Sequence, residues 1–309
     1  MGGIGEAVVR FASILAAAAC AALATGALAD DPPAKASLRL KFDIGHTLTY
    51  DVAVHIQGTY TVSGGTPVRL DHTVSYWLNN MVQSVDPNSG QAVIRGDIAI
   101  HDMTLSVDGK SLAEDQFKPS SGTGNETFGM EDNGVVDGFN LSPPAGSLPL
   151  TIFAMSNPIF GAILIPDNPV AANDTWSRTI TGGPTGATFT AACKVSSLSA
   201  VGEDQIASID TTFKPVRSKS SKLETSGISL KSFSGTQSTQ FDNTSGLITK
   251  LSSTSHQIMY IALDPTKPTW LEVPGSSANN KLDITETLTM TLTTIDFVRV
   301  KSTINTQKK

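Results

Sequence analysis

Leu48-Thr49-Tyr50-Asp51-Val52-Ala53-Val54-His55-Ile56-Gln57-Gly58-Thr59-Tyr60-Thr61-Val62 is the stretch that decides the fold. Its even positions are apolar except for Gly58, and its odd positions are mostly threonine, aspartate, histidine and glutamine. A period of two belongs to a β-strand with one buried and one wet face, because successive side chains leave opposite sides of the backbone. At about 3.3 Å per residue the stretch spans about 50 Å, long for a strand. Gly58 interrupts the apolar row and marks a place for a bend or bulge.

Working outward, the same signature returns near residue 290. Leu282, Ile284, Leu288, Met290 and Leu292 alternate with Asp283, Thr285, Thr287, Thr289 and Thr291. The apolar phase then moves to Ile295 and Phe297, which predicts a bulge at Thr293-Thr294. Further strands are expected over 73–78, 91–100, 103–107, 188–195, 206–213 and 247–263. Turn chemistry punctuates them at Asp86-Pro87-Asn88-Ser89-Gly90, Asp108-Gly109 and Asp242-Asn243-Thr244-Ser245-Gly246. No amphipathic helix stands out beyond residue 29. The expected fold class is mainly β and antiparallel, of the curved-sheet, sandwich or half-barrel type.

An internal echo suggests two related β-domains. Gly45-His46-Thr47-Leu48-Thr49-Tyr50 has a counterpart in Asn173-Asp174-Thr175-Trp176-Ser177-Arg178, and the turn at Asp86 has one at Asp242. The expected layout is a first domain over 30–142, a proline-rich apolar connector over 143–169, a second domain over 170–300 and a basic tail over 301–309. The serine- and lysine-rich stretch 218–240 is expected to be an insertion in the second copy.

Leu40-Lys41-Phe42-x-Ile44-Gly45-x-Thr47-Leu48-x-Tyr50 resembles the opening of a family of exported bacterial two-domain β-proteins of unknown function. Ile165-Pro166-Asp167-Asn168-Pro169-Val170, leading to Asp174-Thr175-Trp176, resembles the phrase that starts their second domain, with Asn173 in place of an expected glycine. The resemblance implies the two-domain layout and no activity.

Ahead of the strands, Phe11 to Leu23 reads FASILAAAACAAL, too short an apolar run to span a bilayer as a mature helix. It follows Arg10 and leads to Ala27-Leu28-Ala29, a small-x-small cleavage pattern, so 1–29 reads as a signal peptide. A second reading makes Cys20 a lipidated cysteine after Ala17-Ala18-Ala19. Cleavage after Ala29 leaves Cys193 as the only cysteine and permits no internal disulfide. The expected location is the periplasm or the exterior, lipid-anchored if Cys20 is modified. No transmembrane segment is expected in the mature chain.

Composition narrows the function classes. Only 16% of the 309 residues are charged, which argues against a coiled coil and charge-driven disorder. Lys+Arg 22 against Asp+Glu 28 gives −6, which argues against nucleic acid, whose phosphates need a basic face.

The search for chemistry returns ordinary residues. Asp71-His72 and His101-Asp102 are strand neighbours, so their side chains diverge. His46, His55 and His256 show no metal-ligand spacing. Cys193, in phase with Phe189, Ala191 and Val195, reads as a small buried apolar residue. No Gly-x-Ser-x-Gly elbow is present, and Ser120–Asn125 reads as a surface loop. Glu114-Asp115, Glu131-Asp132 and Glu203-Asp204 read as solvated loop acids. Trp77 is out of phase with Val74, Tyr76 and Leu78, and a second layer is expected to cover it.

The connector carries the sharpest candidates. Phe153, Met155, Ile159, Phe160 and Ile163 form either a seam between the domains or the lining of a groove for a lipid-like ligand. No catalytic residue, cofactor or metal is expected. The function expected is a non-enzymatic binding or structural module of the bacterial cell envelope, with an unknown envelope partner. Its rivals are a carrier of a lipid or other apolar small molecule in a groove near 148–165, and a hydrolase whose carboxylates are not recognisable.

Overall fold

A computed structural model describes residues 35–61, 65–147, 163–182, 187–201, 204–216, 228–261 and 280–297. The chain divides into Met1–Ala36 and Ser37–Lys309, and the fold set out below belongs to the second unit. Its first strands are β1 (His46–Thr61), β2 (Val68–Val85), β3 (Ala92–Val107), the short β4 (Lys110–Ser111), β5 (Thr123–Met130) and β6 (Val136–Ser142). Then come β7 (Thr175–Gly182), β8 (Ala187–Val201), β9 (Asp204–Pro215), β10 (Ile228–Asp242), β11 (Leu247–Ile261) and β12 (Asn280–Phe297). All pair antiparallel in one sheet, in the order β6-β5-β3-β2-β1-β12-β11-β10-β9-β8-β7, with β4 beside β3. The fold is mainly β, two meanders joined edge to edge where β1 meets β12.

The opening strand lies at the centre, which is why its alternation is so clean. Val52 stands between Met290 of β12 and Tyr76 of β2, and Val54 between Leu288 and Val74. These side chains share one face with Ile98, Met103, Phe128, Leu251 and Ile209, all buried. Each such side chain contributes about 1.5–3 kcal/mol on full burial. The opposite face carries the threonines.

Bulges in β12 and β3 shift the phase of the buried row. Thr49 pairs with Thr294 and Tyr50 with Leu292, so Thr293 is the extra residue, where the phase shift predicts it. Its hydroxyl donates to the Thr49 carbonyl at 2.9 Å. In β3, Asp102 faces Ser75 and Ile100 faces Tyr76, leaving His101 unpaired. The segments expected separately over 91–100 and 103–107 are therefore one strand whose buried phase changes from even to odd.

Three expectations change. Gly58 is not a bulge: it pairs in register with Ile284 and Leu70. It is glycine because a Cβ there would lie 2.7 Å from the Ile284 Cα. Residues 228–240, taken for part of an insertion, belong to β10. Its serine and threonine content hides a strand whose Gln237, Thr239 and Phe241 face inward. Thr123–Asn125, taken for loop, begins β5.

The turns at Asp86 and Asp242 are built alike. The glycine N–H donates to the aspartate carbonyl at 2.8 Å in both. The aspartate carboxylate accepts from Asn88 N–H at 2.8 Å in one and Thr244 N–H at 2.9 Å in the other. Gly45 and Asn173, the paired positions before β1 and β7, both adopt left-handed φ, 84° and 71°. Asparagine tolerates that region better than most residues.

One end of the sheet is closed by its own chain. Leu40 N–H donates to the Asp132 carbonyl at 2.8 Å and Lys41 N–H to the Gly246 carbonyl at 3.2 Å. These two acceptors lie in turns beside β5 and β11, with β3, β2, β1 and β12 between. In a flat sheet five spacings make about 24 Å, yet two adjacent residues, about 3.8 Å apart, reach both turns. The sheet therefore bends around residues 38–43, which form a strap across this end. Gly246, with φ 71°, admits the strap, because a Cβ there would meet Lys41 N at 2.7 Å. The sheet remains open, since β6 and β7 do not pair.

Candidate functional site

Between the strap and the inner face lies an apolar cavity of about 360 Å³. Leu40 and Phe42 of the strap cover it. Its floor is Leu48 and Tyr50 of β1 with Leu78, Asn80 and Val82 of β2. Ile94, Phe128 and Met130 make one wall; Leu247, Ile248, Met290 and Ile295 make the other. Polar groups gather at the rim, where Lys41, Asp43, His46 and Thr244 also line it. The Lys41 ammonium donates to the Thr244 carbonyl at 2.7 Å, tying the strap to the β10–β11 turn. Burial pushes the Tyr50 phenol up.

Asn80 breaks this apolar lining, and its neighbours on the same rung are unusual. Asn80 pairs with Gly96 of β3, which pairs with Glu126 of β5. A Cβ on Gly96 would lie 2.6 Å from Asn80 Oδ1 and 2.7 Å from Glu126 Oε1, so the missing side chain makes room for both polar groups. Glu126 is 1% exposed. Among the described residues neither of its oxygens, nor Asn80 Oδ1, has a hydrogen-bond partner. Burial pushes the Glu126 carboxyl up to about 8, so it is mostly protonated at neutral pH.

The inner face holds other buried polar groups. Tyr76 is raised well above an ordinary phenol by burial, with the charges of Glu126 and Glu286 adding to the shift. His72 is fully buried, and its Nδ1 lies 2.8 Å from the Thr104 carbonyl. Burial lowers its pKa, so the ring is neutral with Nδ1 as donor. Asp71, its sequence neighbour, faces the other way. There it accepts from Gln57 at 2.9 Å and stands 3.0 Å from His55 Nε2. These contacts, the Gln57 hydrogen bond first, lower its pKa.

The outer face carries further cross-strand pairs, His101 with Asp51 at 3.3 Å and His256 with Asp283 at 2.9 Å. Trp77 is 49% exposed, and its ring lies 4.7 Å from that of His101. The expected cover over Trp77 is thus corrected: the His101 bulge turns an imidazole onto the indole, and no second sheet layer lies there among the described residues. Cys193 is buried beside Thr211, whose hydroxyl lies 3.6 Å from the sulfur, and burial raises its thiol. Among the described residues no group of three His, Cys, Asp or Glu could hold a metal, and no helix is long and apolar enough to cross a membrane.

Of the connector candidates, Phe153, Met155, Ile159 and Phe160 lie outside the described residues, as does Cys20. Ile163 is buried, and its carbonyl packs against Gly134 in the β5–β6 turn. Ile165 N–H donates to Asn133 at 2.8 Å, and Trp176 Nε1 donates to Leu164 at 2.9 Å. Residues 163–165 thus join the β5–β6 turn to β7, and Ile163 does not line the cavity.

Sequence reasoning passed over Asn80, Gly96 and Glu126. The signal was available: Asn80 follows Val74, Tyr76 and Leu78 in phase, Gly96 sits between Ile94 and Ile98, and Glu126 precedes Phe128 and Met130. Each interrupts an apolar row, and only the register shows that the interruptions share one rung.

No family model and no curated protein matches the chain. Among solved structures it is similar to lipovitellin, in a structure described as lipid–protein interactions in lipovitellin. That match has a TM-score of 0.49 and 10% identity, and covers 85% of this chain. The chain spans 26% of the length of that structure.

Proposed function

We propose that this protein is an exported, non-catalytic carrier that holds one apolar small molecule, such as an acyl chain, against the inner face of its sheet. The supporting observation is the cavity under the strap. Its volume falls in the usual range for small-molecule sites, and apolar walls with few polar groups are the usual lining of such sites. The strap adds a cover whose contacts, Lys41 with Thr244 and Arg39 with Pro166 at 2.8 Å, lie outside the apolar lining. Opening it therefore exposes the cavity without unpairing the sheet.

Native purification followed by mass spectrometry of extracted lipid, with displacement of the dye 1-N-phenylnaphthylamine, tests this. Wild type is expected to bind the dye, and Leu78→Trp, which fills the floor, to lose it while keeping its circular dichroism. A wild type that binds neither dye nor lipid overturns the carrier reading. An intact mass beginning at Asp30 supports export by cleavage; a lipidated Cys20 makes the carrier membrane-anchored.

A second reading, a docking module for an envelope partner, is favoured by Trp77, half exposed on a face otherwise rich in threonine. In crosslinking from intact cells, a partner captured by wild type and lost with Trp77→Ala supports it.

A further inference from the structure

If the cavity holds an amphiphile, the polar rung at its floor decides which heads it accepts. Asn80 lines the cavity, while its Oδ1 is buried against Gly96, which Glu126 Oε1 also approaches. Both oxygens border the small space left by the missing Gly96 side chain, where an apolar surround favours a protonated acid over a charged one. The proton belongs to Glu126, because Asn80 has none on Oδ1. Among the described residues Oδ1 is buried there without a partner, which leaves the amide nitrogen as the Asn80 group that can meet a ligand in the cavity. The next residues on the rung, Leu48 and Ile295, are aliphatic and offer Asn80 no competing hydrogen-bond partner.

We propose that the cavity is selective for amphiphiles whose head presents an uncharged carbonyl oxygen, such as an acyl ester, received by Asn80 Nδ2. Glu126 is the positioning residue: on ligand binding its carboxyl turns to donate to Asn80 Oδ1, which has no partner among the described residues. An anionic head fits less well. The amide offers only a partial charge, a carboxylate beside Glu126 sets two acids together, and burying it unpaired is costly. The one ammonium in the lining, Lys41, is engaged at the rim with Thr244. A plain hydrocarbon leaves the Asn80 donors buried without an acceptor. The selectivity rests on the carrier reading, and the test separates the two.

The full, delipidated chain is titrated with methyl dodecanoate, dodecane and dodecanoate, each read as displacement of 1-N-phenylnaphthylamine. Wild type is expected to prefer the ester over dodecane by about fivefold, the worth of one neutral hydrogen bond, and over dodecanoate by at least as much. Asn80→Leu is expected to bring ester and dodecane to equal displacement. Glu126→Gln keeps the preference, because the glutamine amide also donates to Asn80 Oδ1, whereas Glu126→Leu loses it. Dye binding with equal affinity for ester and dodecane overturns the selectivity and leaves the carrier reading standing. Tighter binding of dodecanoate, or a preference untouched by Asn80→Leu, also overturns it. Absence of dye binding by wild type overturns the carrier reading itself.

Discussion

Replacing Glu126 by glutamine changes how the stability of this protein depends on pH. The carboxyl has an ordinary value of 4.5 in the unfolded chain and about 8 when folded, raised by burial. A raised acid contributes no penalty below 4.5, where both states are protonated. As pH rises past 4.5 the unfolded chain releases its proton while the folded chain holds it. Stability therefore falls until pH passes 8, where the folded chain ionises too. The whole span corresponds to about 5 kcal/mol at 1.36 kcal/mol per unit. Between pH 6.5 and 8.5 the loss is about 2 kcal/mol.

That window isolates the group. His72, lowered by burial, loses stability only as pH falls below its ordinary 6.5. Asp71 and Asp283 are lowered by hydrogen bonds, Asp283 chiefly by Lys281, and their contributions are already complete above the usual carboxylate range. Cys193, raised by burial, acts only above about pH 9. Across the inner face Glu126 and Glu286 of β12 both act on Tyr76 of β2, whose phenol stays neutral throughout. Urea unfolding of delipidated wild type and Glu126→Gln, followed by tryptophan fluorescence at several pH values, reads the difference. Wild type is expected to lose about 2 kcal/mol relative to the variant from pH 6.5 to 8.5. Parallel profiles would refute the reasoning, because they would mean that the carboxyl titrates alike in both states.

Other positions give sharper yes-or-no tests. Gly58→Ala places a methyl against the Asp283 carbonyl and 2.7 Å from the Ile284 Cα at the β1–β12 seam. A cost of about 1–3 kcal/mol in urea unfolding is expected, and a neutral result would show that the strands separate there freely. Cys193, 2% exposed, should resist Ellman's reagent in the native protein and react on unfolding; rapid native labelling contradicts its burial. Arg39 donates to the carbonyls of Pro166 and Asp167 at 2.8 and 2.9 Å and stands 3.4 Å from Asp132. Arg39→Ala should speed release of a bound dye at little cost in stability, measured by stopped-flow displacement, because these contacts hold the strap and not the core.

The strands that the sequence displays best are those whose two faces meet different surroundings. β1 and β12 sit at the centre with one face fully buried, so valine, isoleucine and leucine alternate with threonine and both period and bulge can be read from the pattern. β10 was illegible for the opposite reason. Its inward row includes Gln237, Thr239 and Gly235, and its outward row is serine, threonine and glutamine, so no contrast marks the faces. β5 was hidden by glycines at its start. Alternation reports a difference between faces, and a strand with polar groups on both reports none.

The site was less legible than the fold because it is made by register. Asn80, Gly96 and Glu126 are separated by 16 and 30 residues along the chain, and each alone is a single lapse in an apolar row. Pairing β2 with β3 and β3 with β5 puts the lapses on one rung, and a glycine between two polar residues is then the arrangement that lets both fit. Random lapses of this kind are costly, since a buried acid lowers stability at neutral pH by the amount that Glu126→Gln is expected to restore. A rung that joins an acid, an amide and a glycine beside a cavity is what the proposed binding of an amphiphile would draw on. An aliphatic residue at position 126 would pack as well and hold the sheet more firmly.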